Sequence, residues 1–493
     1  MSEWPNGWAP TKLGELVDLR TGPFGSSLHQ SDYVDGGTPI VNPMHIDGRR
    51  IHPTSKHRVN EDTVARLNEF RLLIGDIVIG RRGEMGRCAV VREREAGWIC
   101  GTGSVIARPR QGTESDFLQY LLSSDAAIEY LNSASVGSTM VNLNQKILLD
   151  LDLLLPPRAE QTRIVEKLES LLVDLDAGVA ELQAAQRKLA RYRQSLLKAA
   201  VEGTLTAEWR EANAPQETGA QLLARILRER RARFEQKHGP KKKYKEPAAP
   251  DTSQLPALPG GWVWMSVEQL GDVTTGFTPS TSNPDYFGGD IPFFKPTDLD
   301  AGYELHNFRD SLTELGVAQG RLLPANSVLV TCIGATIGKT GLARVPCTTN
   351  QQINAVSPSD GICPEYIFFV MTSPFGQRQI ISSASATTLP ILNKSKFGKL
   401  PVPLPPLTEQ HQILTHLDTA LSACKAQESA IVHALKQAAA QRRNLLRAAF
   451  AGELVPQDPA DEPASVLLER IRAARAAQGA VKKPRGRKKQ EAI

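Results

Sequence analysis

The chain has 493 residues, 41% hydrophobic and 23% charged, which allows two to four ordinary globular domains and excludes a disordered or fibrous protein. No stretch reaches the ~18 apolar residues of a membrane span, and residues 1 to 30 lack the apolar core of a signal peptide, so the expected location is the cytoplasm. The formal charge of +5 is uneven: ten basic and two acidic residues lie between Arg225 and Lys245, six basic and one acidic between Val481 and Glu491, and the remainder is acidic. Six cysteines, Cys88, Cys100, Cys332, Cys347, Cys363 and Cys424, form no C-x-x-C pair and read as reduced thiols rather than a zinc site or disulfide framework.

In chain order, the sequence opens on Trp4-Pro5-Asn6-Gly7-Trp8 and Thr21-Gly22. About 150 residues follow in which strand signals (Asp76 to Gly80, Cys88 to Arg92) mix with a short helix (Ser115 to Leu131) and many Gly, Pro, Asn and Ser turns. Leu155-Pro156-Pro157-Arg158-Ala159-Glu160-Gln161 then starts a segment that closes on Ser195-Leu196-Leu197-Lys198-Ala199-Ala200 and Gly203. Prolines at the start, a glutamate in the first turn and a glycine at the end mark one helix from Arg158 to Glu202, roughly 65 Å long. Ile164, Leu168, Leu171, Leu175, Leu182, Leu189 and Leu196 form its apolar seam at heptad-like spacing. Glu217 to Phe234 reads as a shorter amphipathic helix, and Lys241-Lys242-Lys243-Tyr244-Lys245 begins a Pro/Ala-rich linker.

After residue 254 the pattern restarts. Gly261-Trp262 and Thr275-Gly276 match Gly7-Trp8 and Thr21-Gly22, and strands (Ser327 to Cys332, Gln352 to Val356) and a helix (Pro364 to Ser373) recur. Leu404-Pro405-Pro406-Leu407-Thr408-Glu409-Gln410 opens a second long helix with the seam Ile413, Leu417, Leu421, Cys424, Ile431, Leu435 and Leu445. Pro156 with Pro405, Gln161 with Gln410, Leu196 with Leu445 and Gly203 with Gly452 all differ by 249. A helix demands such constancy, since one inserted residue turns everything beyond it by about 100°. The simplest partner for the seam of so long a rod is the other rod. Glu462 to Gln478 echoes the first appended helix, and Lys482 to Lys489 ends the chain in a second basic run; both runs read as mobile arms able to touch phosphate.

Catalytic motifs are missing. Gly334-Ala335-Thr336-Ile337-Gly338-Lys339-Thr340 has three residues between its glycines where a phosphate loop needs four. The sequence also lacks a Gly-x-Gly-x-x-Gly cofactor loop, the Pro-Pro-Tyr/Phe signature of amino-methyltransferases and a His-Glu-x-x-His pair. Nine histidines are scattered, and His52 and His57, which share a loop, read as surface residues. The two globular parts do carry donors on loops: Arg20, Ser26, Ser27, Lys56, Arg58, Arg81, Arg82, Arg87, Thr139, Asn142, Asn144 and Lys146 in the first. Thr278, Ser280, Thr281, Lys295, Thr331, Thr336, Lys339, Thr387, Thr388, Asn393, Lys394 and Lys396 sit at comparable places in the second. Such side chains read base edges and hold phosphates.

The duplicated order of variable domain and long helix, the Leu-Pro-Pro-x-x-Glu-Gln openings and the Leu-Leu-Lys/Arg-Ala-Ala closings resemble the specificity subunit of type I restriction-modification systems. That resemblance implies an α+β chain of two loop-rich, mixed α/β target-recognition domains in tandem, with the long helices pairing as an antiparallel coiled coil. The corresponding divisions are 1–155 and 255–404 for the domains, 156–205 and 405–454 for the spacer helices, 206–254 for a short helix and basic linker, and 455–493 for a short helix and basic tail. The resemblance further implies a non-catalytic subunit that binds double-stranded DNA, each domain reading one half of a bipartite asymmetric site. Partners would be two adenine methyltransferase subunits bringing S-adenosylmethionine, and motor-nuclease subunits using ATP and Mg; this chain itself would bind no cofactor or metal. Two other readings are a coiled-coil scaffold without DNA reading and the recognition part of a catalytic methyltransferase.

Overall fold

The computed structural model describes residues 4–23, 27–52, 55–82, 85–134, 143–239, 242–385 and 389–481. The chain divides into two compact units, residues 1–182 with 433–493, and residues 183–432.

Unit 1 holds the first domain. Its entry strand Ala9–Lys12 pairs antiparallel with the exit strand Asp152–Leu155, so the domain begins and ends on one two-stranded sheet. A four-stranded antiparallel sheet runs in the order Val17–Thr21, Ser104–Pro109, Ile77–Gly80, Cys88–Val90. A three-stranded sheet sets Tyr33–Val41 between Arg58–Val59 and Ile99–Cys100. The predicted helix Ser115 to Leu131 is two helices, Ser115–Leu122 and Asp125–Ala134. Ser124 divides them: its hydroxyl donates to the Leu121 carbonyl at 2.7 Å and accepts from the Ala127 N–H at 3.3 Å, which ends one helix and caps the next. The strand expected to reach Arg92 stops at Val90, and Arg92 makes a bidentate pair with Asp116 instead.

Unit 2 repeats the frame. Val263–Ser266 pairs with Pro401–Leu404, and the second four-stranded sheet runs Gly271–Thr275, Ile353–Pro358, Ser327–Thr331, Thr340–Ala343. Phe287–Phe294 lies between Ser311–Leu312 and Thr348–Thr349. The helix expected to end at Ser373 covers Pro364–Thr372, and Ser373 caps a further helix, Pro374–Ser383, by accepting from the Gly376 N–H at 3.1 Å. The segment Gly334 to Thr340 joins two antiparallel strands, whereas a phosphate loop must lead from a strand into a helix.

The long helices span Arg158–Glu202 and Leu407–Ala451, 45 residues each, and end on Gly203 and Gly452 at φ +73° and +74°. Only a residue without a Cβ takes that left-handed cap cheaply. All fourteen seam positions are buried or half-buried. In unit 1 the start of the first rod and the end of the second enter one core, where Ile164, Leu168 and Leu172 meet Ala449, Leu445 and Phe450; Asp176 pairs with Arg442 beside it. Unit 2 has the converse, with Leu196, Leu197, Ala200 and Val201 of the first rod in the core of Ile413 and Leu417 of the second. Leu172, Leu197, Ala200, Val201 and Ala449 lie off the single heptad stripe because these ends also pack on a globular domain.

The appended helices are structural. Gly219–His238 buries Leu222 and Ile226 in the core of unit 2, and Ala464–Val481 buries Leu467, Leu468 and Ile471 in that of unit 1. Their first turns are fixed alike: the Gly219 N–H donates to the Gly261 carbonyl at 2.7 Å, the Ala464 N–H to the Gly7 carbonyl at 2.8 Å. A short helix, Ala207–Ala212, precedes the first of them and was not expected.

The repeated Pro-Pro-x-x-Glu-Gln acts as a buried latch. Glu409 accepts from the Trp262 indole at 2.8 Å, and Glu160 from the Trp8 indole at 3.1 Å. Gln410 donates to the Pro405 carbonyl at 3.1 Å and accepts from the Cys363 N–H at 2.9 Å; Gln161 does the same with Pro156 and Glu114, at 3.0 and 3.1 Å. The copies differ in one respect. Glu409 also accepts from the Thr206 hydroxyl at 2.7 Å and Arg210 at 2.9 Å, whereas Oε1 of Glu160 has no hydrogen-bond partner among the described residues. Burial outweighs the Trp8 bond and the nearby Arg163, and raises the Glu160 carboxyl above its ordinary value. The folded state therefore binds the extra proton over a window opening near pH 4.5, and stability falls as pH rises through it. Glu409→Gln should destabilise the chain by about 2–3 kcal/mol at pH 7. Glu160→Gln should cost less than about 1 kcal/mol or stabilise, and should flatten the decline above pH 4.5 in calorimetric unfolding. Equal losses in the two variants would show that the missing partner is immaterial.

Candidate nucleic-acid interface

At one end of each four-stranded sheet the same loops are tied together by the same backbone bonds. In the first domain the Gly22 N–H donates to the Ser104 carbonyl at 3.0 Å, Arg81 N–H to Gly103 at 2.9 Å and Leu143 N–H to Arg81 at 3.0 Å. In the second, Gly276 N–H donates to Ile353 at 2.9 Å, Cys332 to Gln352 at 2.7 Å and Leu392 to Cys332 at 2.8 Å. Gly22 and Gly276 permit this closeness, since a Cβ would lie 2.0 Å from the Gly101 carbonyl oxygen and 2.1 Å from that of Asn350. Three stretches far apart in sequence thus converge on one rim in each domain.

The predicted residues divide on this frame. On or beside the first rim are Arg82, Asn144 and Lys146, all exposed. Asn144 is also a helix cap, its side chain accepting from the Ile147 N–H at 2.9 Å, as Asn393 does from Lys396 at 2.9 Å. The second rim carries exposed Thr278, Ser280, Thr281, Thr336, Lys394 and Lys396. Thr278 donates to Gln351, and Ser280 bonds Ser282 at 2.7 Å.

Other candidates serve the fold. Arg81 is 9% exposed, and burial, then the charge of Arg82, pulls its pKa down. Thr331 is fully buried in the sheet. Arg20 donates to the Glu69 carbonyl at 2.6 Å, Arg58 to that of Gly37 at 2.9 Å and Arg87 to that of Pro43 at 3.5 Å. Lys295 pairs with Asp310 at 2.7 Å and Lys339 with Asp300 at 2.6 Å. Ser27, half-buried, accepts from Arg66 through its carbonyl at 2.7 Å, and Lys56 is exposed on a separate loop. Ser26, Thr139, Asn142, Thr387 and Thr388 lie outside the described residues, as does the basic tail from Lys482.

Sequence reading missed Gln145, which donates to the Thr21 hydroxyl at 2.9 Å, and Gln351, the partner of Thr278. Gln145 directly follows the recognised Asn144, and Gln351 directly precedes the strand expected from Gln352. His57 is a correction: it is half-buried, 3.3 Å from buried His45 and edge-on to Tyr33. The basic run at Lys241–Lys245, read as the start of a free arm, is another: Lys241 lies outside the described residues, but Tyr244 packs on Phe234 at 5.2 Å, and Ser266 and Trp264 donate to the Ala248 and Pro256 carbonyls beyond it at 2.7 and 3.2 Å, so the linker is docked. All six cysteines are buried as free thiols, and burial raises those of Cys88, Cys332 and Cys363 to about 11. The described residues hold neither a cluster of three or more His, Cys, Asp or Glu able to hold a metal ion, nor a helix long and apolar enough to cross a membrane.

Residues 5–181 and 259–437 match the family described as the type I restriction modification DNA specificity domain. The chain is 23% identical over 491 residues, 98% of each chain, to the type I restriction enzyme EcoDI specificity subunit of Escherichia coli. It is 27% identical to the EcoBI specificity subunit of the same species over 369 residues, 72% of this chain and 71% of that one. A solved chain, from work on complex assembly and conformational transition of the type I restriction-modification system, superposes with a TM-score of 0.66 at 20% identity, covering 92% of this chain and 100% of that one. The chain belongs to the type I restriction-modification DNA specificity family. Within that class it is a specificity subunit, with two tandem recognition domains and a non-catalytic role in the restriction-modification complex.

The two adjacent arginines can be separated experimentally. Arg82→Ala should leave unfolding within about 0.5 kcal/mol of wild type while lowering DNA affinity and flattening its salt dependence. Arg81→Ala should destabilise by about 1–3 kcal/mol, because the lost side chain is buried. Equilibrium denaturation and a salt titration of DNA binding check both.

Proposed function

We propose that each domain reads one half of a split double-stranded DNA site through its loop rim, and that the rods pair antiparallel as a coiled coil that fixes the gap. The reading rests above all on one observation: two domains hold their rims with the same backbone bonds while presenting different side chains. A shared frame with a changed surface suits two readers of different half-sites. Apolar contacts between opposite ends of the rods within each unit favour the antiparallel pairing. Such a pair presents equivalent faces to two copies of one partner, here an adenine methyltransferase carrying S-adenosylmethionine. Motor-nuclease subunits would bring ATP and Mg. The chain alone binds double-stranded DNA and no cofactor.

Replacing residues 9–150 by the equivalent domain of a relative with different specificity should change one half of the methylated motif and leave the other intact, as read by mapping methylated adenines. Purified alone, the chain should neither bind S-adenosylmethionine nor methylate DNA; transfer by the homogeneous chain would sink the proposal.

The rods give a second test. Seven residues inserted after both Ala185 and Ala434 add two turns, keep the seam within about 20° and lengthen each rod by about 10 Å. The methylated motif should then keep its halves and gain about 3 base pairs of gap, or activity should fall because one half-site has rotated by about 100°. An active complex with the original gap would show that the rods do not set the distance.

A further inference from the structure

The strands Tyr33–Val41 and Phe287–Phe294 run parallel to Ile99–Cys100 and Thr348–Thr349, and both pairs end at a loop rim. In the first domain the Gly101 N–H donates to the Val41 carbonyl at 2.9 Å, and in the second the Asn350 N–H donates to the Phe294 carbonyl at 3.2 Å. Gly101 and Asn350 are the residues whose carbonyl oxygens Gly22 and Gly276 approach. The chain then turns in the same way in both: Val41-Asn42-Pro43-Met44-His45 and Phe294-Lys295-Pro296-Thr297-Asp298 differ by 253 throughout. The Asn42 N–H donates to Nδ1 of His45 at 3.1 Å, and the Lys295 N–H to Oδ2 of Asp298 at 2.8 Å. In return the His45 and Asp298 N–H groups donate to the Asn42 and Lys295 carbonyls, each at 2.9 Å. A fourth stretch of chain thus joins each rim.

Each turn uses all but one of its side chains to hold itself. The proline fixes φ where the turn begins, and Pro43 lies so close on the sheet that a Cβ on Gly80 or Gly103 would come within 3.2 or 3.0 Å of its ring. His45 and Asp298 are buried, Asn42 is half-buried, and Lys295 pairs with Asp310. Met44, by contrast, is 68% exposed, and Thr297 is exposed with a hydroxyl that takes no part in capping the helix after it. One exposed methionine means little by itself. Two exposed side chains of different chemistry, at one place in a repeated turn that is bonded to the rim, form a variable position on a constant support.

We propose that Met44 and Thr297 are specificity-determining residues, each reading one base pair in the half-site of its own domain. The inference rests on the proposed reading of DNA by the rims and deepens it. Met44 has no donor and only a weak thioether acceptor, so the group it can select is the 5-methyl of thymine in the major groove. Thr297 has a hydroxyl as well as a methyl, so the second turn selects by a hydrogen bond to a base edge. Because the turn itself is fixed, binding orders little more than the one side chain it presents.

The probe is a duplex carrying the motif found by mapping methylated adenines, with each thymine of the first half-site replaced in turn by deoxyuridine, which lacks only the 5-methyl group. It is titrated against the full chain assembled with its methyltransferase subunits. One replacement should weaken binding about three- to fivefold, the worth of one buried methyl. Met44→Ala should lose the same factor on thymine DNA and no longer respond to that replacement, at an unchanged melting temperature. Thr297→Val, which keeps the shape and removes the hydroxyl, should accept a second base at one position of the second half and leave the first half intact. The assignment of Met44 is overturned if no replacement weakens binding, or if Met44→Ala binds as wild type or stays sensitive to the same deoxyuridine. An equal loss on every sequence overturns it too, since that marks a backbone contact. An unaltered motif in Thr297→Val overturns the assignment of Thr297. Variants that keep the motif, while exchange of residues 9–150 still alters one half, remove this proposal and leave the proposed function standing; an exchange that alters neither half removes both.

Discussion

A buried carboxylate at the first turn of each rod fixes how helix and domain meet. Glu160 and Glu409, each 1% exposed, take an indole N–H from the tryptophan that opens the same domain, while the neighbouring glutamine ties the preceding proline to a helix start in the domain. Such bonds are directional, so they set the angle at which the helix leaves the domain as well as its distance. A rod of 45 residues magnifies any error at its base, and apolar packing alone, which is non-directional, would tolerate more of it. The latch places few degrees of freedom between the loop rim and the far end of the helix.

The division of labour follows. Backbone bonds at Gly22, Arg81 and Leu143, and at Gly276, Cys332 and Leu392, hold the rims without using the side chains that project from them. Substitution of exposed rim residues that cap no helix, such as Arg82 and Thr336, therefore costs little stability, and recognition can vary while sheets, latch and rods stay constant. The three-stranded sheets keep the same strand order and pairing, but the segments beside them differ. An Ile46–Asp47/Arg50–Ile51 hairpin in the first domain has its counterpart in a 3₁₀ stretch, Asp298–Glu304, in the second.

The rods were legible in the sequence because a fixed offset of 249 over some fifty residues leaves a helix no freedom to do otherwise. Sheet strands were legible wherever apolar runs such as Ile77–Gly80 lay between turns. What escaped depended on contacts between distant residues. Nothing local distinguishes Ser124, which splits a helix, from any other serine, or marks Arg81 as buried beside an exposed Arg82. The linker looked like a free basic arm because the rings and donors that hold it, Phe234, Trp264 and Ser266, are in other elements. Loop donors were chosen by residue type, so the list mixed rim residues with helix caps and ion pairs that a sequence does not separate.

The two units also differ in how they can be made. Unit 2 is one continuous stretch, 183–432, whereas unit 1 joins the beginning of the chain to its end. The surface formed by Leu13, Leu16, Phe117 and Ile164 is closed by Ala449, Ala464, Leu467 and Ile471, synthesised nearly 300 residues later than the domain they cover. At roughly 5–20 residues per second, the first domain to leave the ribosome waits ~15–60 s with that surface open, while the second can complete itself. The part of the molecule begun first is finished last, and the interval is one in which chaperones, or premature contact with another nascent chain, have access to an apolar face that the mature protein never shows.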